Sequence, residues 1–213
     1  MDPEQARVKL ETVFNSGKEQ KFARHRVILL PGEEPEQAYW ISEGFVKVVS
    51  YNKNGNERLH YIYGPQEIFP VTSLFGPVMP QISFVALNDV TLRTKSIKDF
   101  HDTVDEDAEM LKAIIRQMTT LVERVYSLHL DTAEERVAHG LLTLAGRFGV
   151  SSDSHVVLNL PLTQQEFGDT VRLSRETTGR ILNRLEEQGH IILGRKHIRI
   201  YPDRLQKFMD DLG

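Results

Sequence analysis

One stretch near the C-terminus restricts the fold more than any other: residues 174–189 carry the full pattern of a single amphipathic helix. Ser174 is a type that caps helix N-termini, and Gly189 is the type that most often follows a helix C-terminus. The apolar residues Ile181, Leu182 and Leu185 fall on one side at helical spacing. The other side carries Arg175, Glu176, Arg180 and Arg184. The stretch predicts a helix that buries one face and exposes charged side chains on the other.

The segments on either side complete a winged helix-turn-helix. Upstream, residues 162–171 predict a shorter helix, in which Thr163 and Glu166 fit the S/T-x-x-E capping box. Only Arg172 and Leu173 then separate this helix from Ser174. Downstream, residues 191–201 predict two short strands around a basic turn. The helix at 174–188 is therefore placed as a recognition helix, with its first turns directed at base edges in a major groove.

The charge of the chain is unevenly distributed. Residues 172–199 hold seven Lys or Arg and three Glu, a net charge of +4. Because the whole chain has a net charge of −4, the remaining residues together carry −8. A small basic face on an acidic body is typical of a protein that binds specific DNA sites rather than polyanions in general.

Composition and missing motifs exclude several other classes. The 213 residues include no cysteine, which excludes disulfides, thiolate metal sites and Cys-ligated iron–sulfur clusters. Without an 18-residue apolar run or a signal-peptide apolar region, the protein is expected to be cytoplasmic, with no membrane partner. The histidines lack the spacing of a metal site, and neither a G-x-S-x-G nor an H-E-x-x-H motif occurs. We therefore predict no metal site, no catalytic residues and no enzyme activity.

The N-terminal half is rich in β signals. After a short helix within residues 1–20, strands are predicted at residues 27–30, 38–41, 45–51, 58–63, 82–87 and 91–96. Short strands separated by Gly, Pro and Asn at this density favour a sandwich or a jelly-roll barrel.

A long helix is predicted from about Val104 to Leu130. Two series of apolar residues, each with a spacing of seven, form a heptad seam: Leu111, Ile114, Met118, Leu121, Val125 and Leu128. We interpret this seam as a parallel dimer interface, since a helix-turn-helix dimer needs a two-fold axis to read two half-sites. Ile115 and Val122 would then pack on the barrel. The alternative is a helix that packs only on its own barrel.

The run Ser-Arg-Glu-Thr-x-Gly-Arg-Ile-Leu at 174–182, preceded by Leu-Thr-Gln-Gln-Glu at 162–166, resembles the cyclic-AMP receptor/fumarate-nitrate regulator (CRP/FNR) family of bacterial transcription factors. The resemblance is closer to the cyclic-AMP receptor branch. It implies an α+β protein with a β-barrel sensor domain (jelly-roll, cyclic-nucleotide-binding-like) at residues 1–103, a dimerisation helix at 104–130 and a winged helix-turn-helix at 131–213. It also implies a homodimer that binds double-stranded DNA and contacts RNA polymerase.

The same resemblance assigns DNA contacts. Base reading falls to Arg175, Glu176 and Arg180, in agreement with their position on the predicted helix: Arg can bind guanine in a bidentate manner, and Glu can accept from cytosine. Phosphate contacts are implied for Thr163, Gln165, Ser174, Thr177 and Lys196. The half-site is expected to be similar to TGTGA. The alternative for Glu176 and Arg180 is an i,i+4 ion pair on a solvated face.

The predicted sensor domain departs from the cyclic-AMP branch of this family where the cyclic phosphate would bind. Pro70 and Val71 stand in place of the Gly and Glu of that branch, and no Lys or Arg occurs between Arg58 and Arg93. An anionic phosphate needs a guanidinium and free backbone N–H groups, so we predict that cyclic AMP is not the ligand. Five apolar residues remain that could line a pocket for an apolar effector or haem, or simply fill the barrel: Phe69, Val71, Phe75, Met79 and Phe84.

A second class of function also fits parts of the sequence. The barrel could bind a small molecule or a metal, while the winged helix binds protein partners. A gel-shift assay on palindromic DNA, set against an activity screen, separates the two.

Overall fold

The computed structural model describes residues 3–195 and 197–212, and the chain forms two compact units, Met1–Val122 and Glu123–Gly213. The elements that begin in the first unit are α1 (Pro3–Phe14), β1 (Lys18–Phe22), β2 (Val27–Leu29), β3 (Gln37–Glu43), β4 (Val46–Tyr51), β5 (Glu57–Tyr63), β6 (Ile68–Phe69), α2 (Val71–Phe75), β7 (Ser83–Ala86), β8 (Val90–Ser96), α3 (Ile97–Glu106) and α4 (Ala108–Ser127). The second unit contains α5 (Ala133–Phe148), β9 (Val150–Ser151), β10 (Val156–Leu158), α6 (Gln164–Thr170), α7 (Arg175–Glu187), β11 (Ile191–Leu193), β12 (Ile198–Ile200) and α8 (Pro202–Asp210).

The first unit is built on two four-stranded sheets. Their strand orders are β1-β8-β3-β6 and β2-β7-β4-β5, with antiparallel neighbours throughout. A turn closes the β4–β5 hairpin, where the Asn52 carboxamide oxygen accepts the backbone N–H groups of Asn54 and Asn56. The predicted jelly-roll class is confirmed, as two sheets rather than a closed barrel. Strand β1 was not predicted, because its sequence Lys-Glu-Gln-Lys-Phe shows almost no apolar alternation.

The predicted start of the long helix is wrong. Val104 belongs to α3, and α4 begins only at Ala108. Between them Asp107 has an extended backbone, with φ of −136°. Its carboxylate accepts the N–H groups of Glu109 at 3.0 Å and Met110 at 3.3 Å, which satisfies two donors of the first turn of α4. Lys9 pairs with the same carboxylate at 2.6 Å and its hydrogen bond lowers the pKa of Asp107.

One face of α4 packs on its own jelly roll. Ile114 is 2% exposed and belongs to the core, while Met118 and Leu121 pack partly against it. Between them, Gln117 accepts the N–H of Ile68 at 3.0 Å and donates to the carbonyl of Ile68 at 2.6 Å. This face of α4 is therefore fastened to strand β6.

The structure corrects which residues of α4 are available to a partner. Ile114 cannot serve a dimer interface, because the protomer's own core covers it. Ile115 and Val122, which we expected on the barrel, are each 50% exposed. The helix instead presents what we call the apolar stripe, with a spacing of four and three: Leu111, Ile115, Met118, Val122 and Val125. Leu128 lies just beyond the last residue of α4 and is partly buried.

The second unit is a four-stranded antiparallel sheet with four helices among its described residues. The strand order is β11-β12-β10-β9. Helix α5 begins at a capping box formed by Thr132 and Glu135, and the core of the unit includes Val137, Leu141 and Leu205. No helix in the described part of the chain is long and apolar enough to cross a membrane.

Candidate nucleic-acid interface

Helix α6 begins as its sequence predicts. The Thr163 hydroxyl accepts the N–H of Glu166 at 3.1 Å, and the Glu166 carboxylate accepts the N–H of Thr163 at 2.9 Å. The predicted capping box is therefore confirmed. Gln165 donates to the carboxylate of Asp169, one turn later, at 2.8 Å. Thr163 and Gln165 are both exposed at the start of the helix.

Helix α7 is fixed by its cap and its apolar face. The Ser174 hydroxyl accepts the N–H of Thr177 at 3.1 Å and donates to the Thr177 hydroxyl at 3.0 Å. Ile181, Leu182 and Leu185 are buried. Gly189 follows with φ of +74°, a left-handed conformation that glycine adopts without a steric penalty.

The charged face of α7 is open. Arg175, Glu176 and Arg180 are exposed, and none of their side chains forms a hydrogen bond or ion pair with another described residue. The alternative i,i+4 pair between Glu176 and Arg180 is therefore not formed in this structure. Three charged side chains remain available to a ligand along the first two turns of the helix.

Two contacts that the sequence pattern did not indicate hold α7 in place. Arg184 pairs with Glu134 of α5 at 3.4 Å. The Glu186 carboxylate accepts the N–H of Leu193 in β11 at 2.6 Å. The first contact joins α7 to α5, the helix that follows α4 in the chain, and the second joins it to the wing.

The wing is a hairpin of β11 and β12. Ile191 pairs with Ile200, and Leu193 pairs with Ile198. Arg195 and Arg199 are exposed on the hairpin. Lys196, the predicted phosphate contact of the wing, lies outside the described residues.

The packing of α6 against α7 contains a buried hydroxyl. Thr178 is 0% exposed, and its Oγ1 has no hydrogen-bond partner among the described residues. The same oxygen lies only 2.7 Å from the position that a Cβ on Gly168 would occupy. Gly168 therefore permits the close approach, while the hydroxyl is desolvated without compensation.

Replacing Thr178 by Val should stabilise this unit. Valine keeps the shape of the side chain and removes the unsatisfied hydroxyl, so we expect the free energy of unfolding to rise by about 1 kcal/mol. Urea denaturation of wild-type and variant protein measures the difference. Thr177→Val is the matched control, because the Thr177 hydroxyl is hydrogen-bonded and its loss should not stabilise the protein. A Thr178→Val protein less stable than wild type would contradict this account.

The residues predicted for an effector pocket do not lie in one environment. Phe69, Val71 and Phe84 are buried in the core of the jelly roll. Phe69 stacks on Tyr39 and on Phe84, with ring centroids 5.0 and 5.6 Å apart. The other two predicted residues lie at the surface, where Met79 is exposed and Phe75 contacts the ring of His101 at 5.2 Å. The arrangement of the buried three favours core filling, one of the two interpretations that the sequence left open. In the described part of the chain, no three His, Asp or Glu side chains come together as a metal would require.

The fold and the exposed face of α7 define a class of protein: a sensor-type jelly roll joined by a helix to a winged helix-turn-helix. Comparison with known families agrees with both parts. Residues 19–107 match the cyclic nucleotide-binding domain, and residues 135–208 match the Crp-like helix-turn-helix domain. The chain belongs to the CRP/FNR family, whose members are transcription regulators that bind DNA.

Individual relatives are similar over most of their length. The chain is 27% identical to the CRP-like cAMP-activated global transcriptional regulator of Mycobacterium tuberculosis, covering 84% of this chain and 82% of the relative. It is 24% identical to the global nitrogen regulator of a Nostoc species, covering 84% and 83%. Among solved structures, FixK2 from Bradyrhizobium japonicum shares the fold, with a TM-score of 0.76 at 21% identity, over 90% of this chain and 96% of that one.

Proposed function

We propose that the protein is a homodimeric transcriptional regulator that reads a palindromic DNA site through α7, with an effector other than cyclic AMP or with none. The observation that carries this proposal is the charged face of α7. The side chains of Arg175, Glu176 and Arg180 are exposed and unpaired among the described residues. They lie on the first two turns of α7, and in this class of protein the N-terminal turns of that helix enter a major groove.

The chemistry of these side chains suits base reading. The guanidinium of Arg175 offers two parallel donors to O6 and N7 of guanine, and the carboxylate of Glu176 can accept from N4 of cytosine. Arg180 can reach a second guanine or a phosphate. Thr163 and Gln165 at the start of α6, with Ser174 and Thr177 at the start of α7, are the candidates for phosphate contacts that fix the register of the protein on the DNA. Lys196 is the corresponding candidate on the wing.

The apolar stripe of α4 supports a second copy of this chain as its partner. Its spacing of four and three is the a/d repeat of a coiled coil. Four of its five residues are exposed, although the adjacent face of the same helix is already packed on the jelly roll. A symmetric pair of α4 helices would cover the stripe and give the two recognition helices the two-fold axis that a palindrome requires. Contact with RNA polymerase remains a prediction.

A gel-shift assay tests the proposal directly. Palindromic DNA with TGTGA-like half-sites about one helical turn apart, roughly 34 Å, should be bound as one dimer per site. Equal affinity for a scrambled duplex of the same composition would contradict sequence-specific binding. Selection from random DNA gives an independent answer, because enriched sites without two-fold symmetry would contradict the palindrome.

The proposed effector differs from that of the cAMP-activated relative. Pro70 has no N–H to offer a phosphate, and Val71, the next residue, is buried in the core. From residue 59 to residue 92 the chain contains no Lys or Arg. The fold of a cyclic nucleotide-binding domain is therefore present without the charges that a cyclic phosphate needs in this segment.

We accordingly expect cyclic AMP to leave the melting temperature unchanged. A ligand present at about 100 times its dissociation constant would add about 2.7 kcal/mol, or roughly 5–10 °C for a chain of this size. Thermal unfolding with and without millimolar cyclic AMP measures this, with the M. tuberculosis relative as the positive control. A saturable calorimetric titration with cyclic AMP would overturn this part of the proposal.

A further inference from the structure

The turn between α6 and α7 holds an arginine where a glycine is the usual residue. The backbone of Arg172 is left-handed, with φ of +55°. The N–H of Leu173 bonds to the carbonyl of Gly168 at 2.9 Å, and the N–H of Arg172 bonds to the carbonyl of Asp169 at 3.2 Å. These two bonds form a Schellman motif, in which Arg172 occupies the C′ position. Glycine is preferred there because a side chain in this conformation crowds the backbone.

Beyond these backbone bonds, no side-chain contact of Arg172 within the described protein compensates for this conformation. The Arg172 side chain is exposed and forms no hydrogen bond or ion pair with any described residue. The carboxylate of Asp169, three residues away, is bonded to Gln165. Sparsely populated backbone conformations are found preferentially at functional sites, where the required geometry outweighs their cost. A cation that does nothing for the folded state is therefore a candidate for contact with a ligand.

The position of Arg172 indicates which ligand. Arg175 is three positions further along the chain, a distance of at most about 10 Å even in an extended chain. The residue lies outside the helix that would enter the groove, so its guanidinium is placed for the DNA backbone rather than for base edges. A guanidinium and a phosphate form short, charge-assisted hydrogen bonds.

We propose that Arg172 binds a DNA phosphate beside the base pairs that Arg175 reads, and that the left-handed turn places it there. This proposal rests on the proposed function. Arg172 would add affinity for any DNA sequence without changing which sequence is preferred.

The Arg172→Gly variant separates this role from a structural one, because the two predict opposite results. Glycine relieves the left-handed strain, so the melting temperature should equal that of wild type or exceed it by up to about 4 °C. DNA binding should nevertheless weaken, by on the order of ten-fold at 50 mM salt. The slope of log K against log salt should become less steep by about one per protomer, so the two affinities should converge near 200 mM salt.

Two further substitutions guard against a change in turn flexibility. Asparagine also tolerates the left-handed conformation, so Arg172→Asn should lose the same slope as Arg172→Gly. Arg172→Lys keeps the charge and should retain most of the slope. Lys98→Gln removes an exposed cation from α3 and should leave the slope unchanged.

The failures of the two proposals are distinguishable. Wild-type protein that binds specific DNA, together with unchanged slopes in Arg172→Gly and Arg172→Asn, would overturn the role of Arg172 alone. A large fall in melting temperature in Arg172→Gly would also overturn it, by showing that the side chain stabilises the turn. Wild-type protein that binds no DNA would overturn the proposed function and the role of Arg172 with it.

Discussion

Replacing Val122 by Glu is expected to convert the protein from a dimer to a monomer. Val122 lies in the apolar stripe of α4 and is half exposed in the protomer, so the folded monomer tolerates a carboxylate there. In the dimer the same carboxylate would be buried. Neutralising a Glu at pH 7 costs about 3.7 kcal/mol per chain from its ordinary pKa of about 4.3, and leaving it charged costs more. With two copies per dimer, the dissociation constant should rise at least about a thousandfold.

Sedimentation velocity at micromolar concentration measures this change. Arg116→Glu is the matched control, because Arg116 is exposed on the polar flank of the same helix and its substitution should leave the dimer intact. Circular dichroism must show that both variants keep their helix content. A Val122→Glu protein that sediments as a dimer would show that the apolar stripe is not the interface. Lowering the pH toward 5 should partly restore the dimer, because protonation of the carboxylate then costs less.

The choice of Val122 depends on structure that the sequence pattern left open. The sequence prediction placed Ile114 and Leu121 in the seam and Ile115 and Val122 on the jelly roll, although both pairs are apolar and flank the same heptad series. The choice between them is made by Gln117, whose carboxamide binds the backbone of Ile68 from 49 residues away. A lone Gln on a helix normally indicates solvent, so its spacing gave no reason to assign that face to the jelly roll.

The helix-turn-helix was predicted more accurately than any other part, because its signals are local. The cap at Thr163, the cap at Ser174 and the left-handed Gly189 each act within a few residues of chain. The contacts that hold α7 in place are of another kind. Arg184 and Glu134 are 50 residues apart, and no spacing rule connects them. Local chemistry therefore predicts the elements, and tertiary contacts that it does not encode fix their mutual positions.

The effector region could not be predicted to the same depth. Apolar residues in a strand-rich segment can fill a core or line a pocket, and residue type does not distinguish the two. Phe69 and Phe84 stack within the core, while Met79 is exposed. The absence of Lys and Arg from residues 59–92 is visible in the sequence, because it is a property of the chain and needs no packing information.

Replacing Arg175 by Ala is expected to abolish most sequence discrimination at one base pair of each half-site. A bidentate contact between Arg and guanine is worth about 1–3 kcal/mol, so two half-sites lose roughly 2–6 kcal/mol. Affinity for the specific palindrome should fall by on the order of 30-fold to 10⁴-fold. Affinity for scrambled DNA should fall far less, because non-specific binding depends on phosphate contacts that Arg175 does not make.

Arg175→Lys separates charge from base reading and completes this test. Lysine keeps the positive charge but lacks the planar pair of donors, so it should hold the salt dependence near the wild-type value while losing preference for the guanine. Fluorescence anisotropy with the palindrome, with single base-pair variants and with scrambled DNA measures all three affinities. If Arg175→Ala weakens specific and scrambled binding equally, Arg175 contacts only phosphate, and base reading must be assigned to other residues of α7. If it weakens neither, α7 is not the recognition helix.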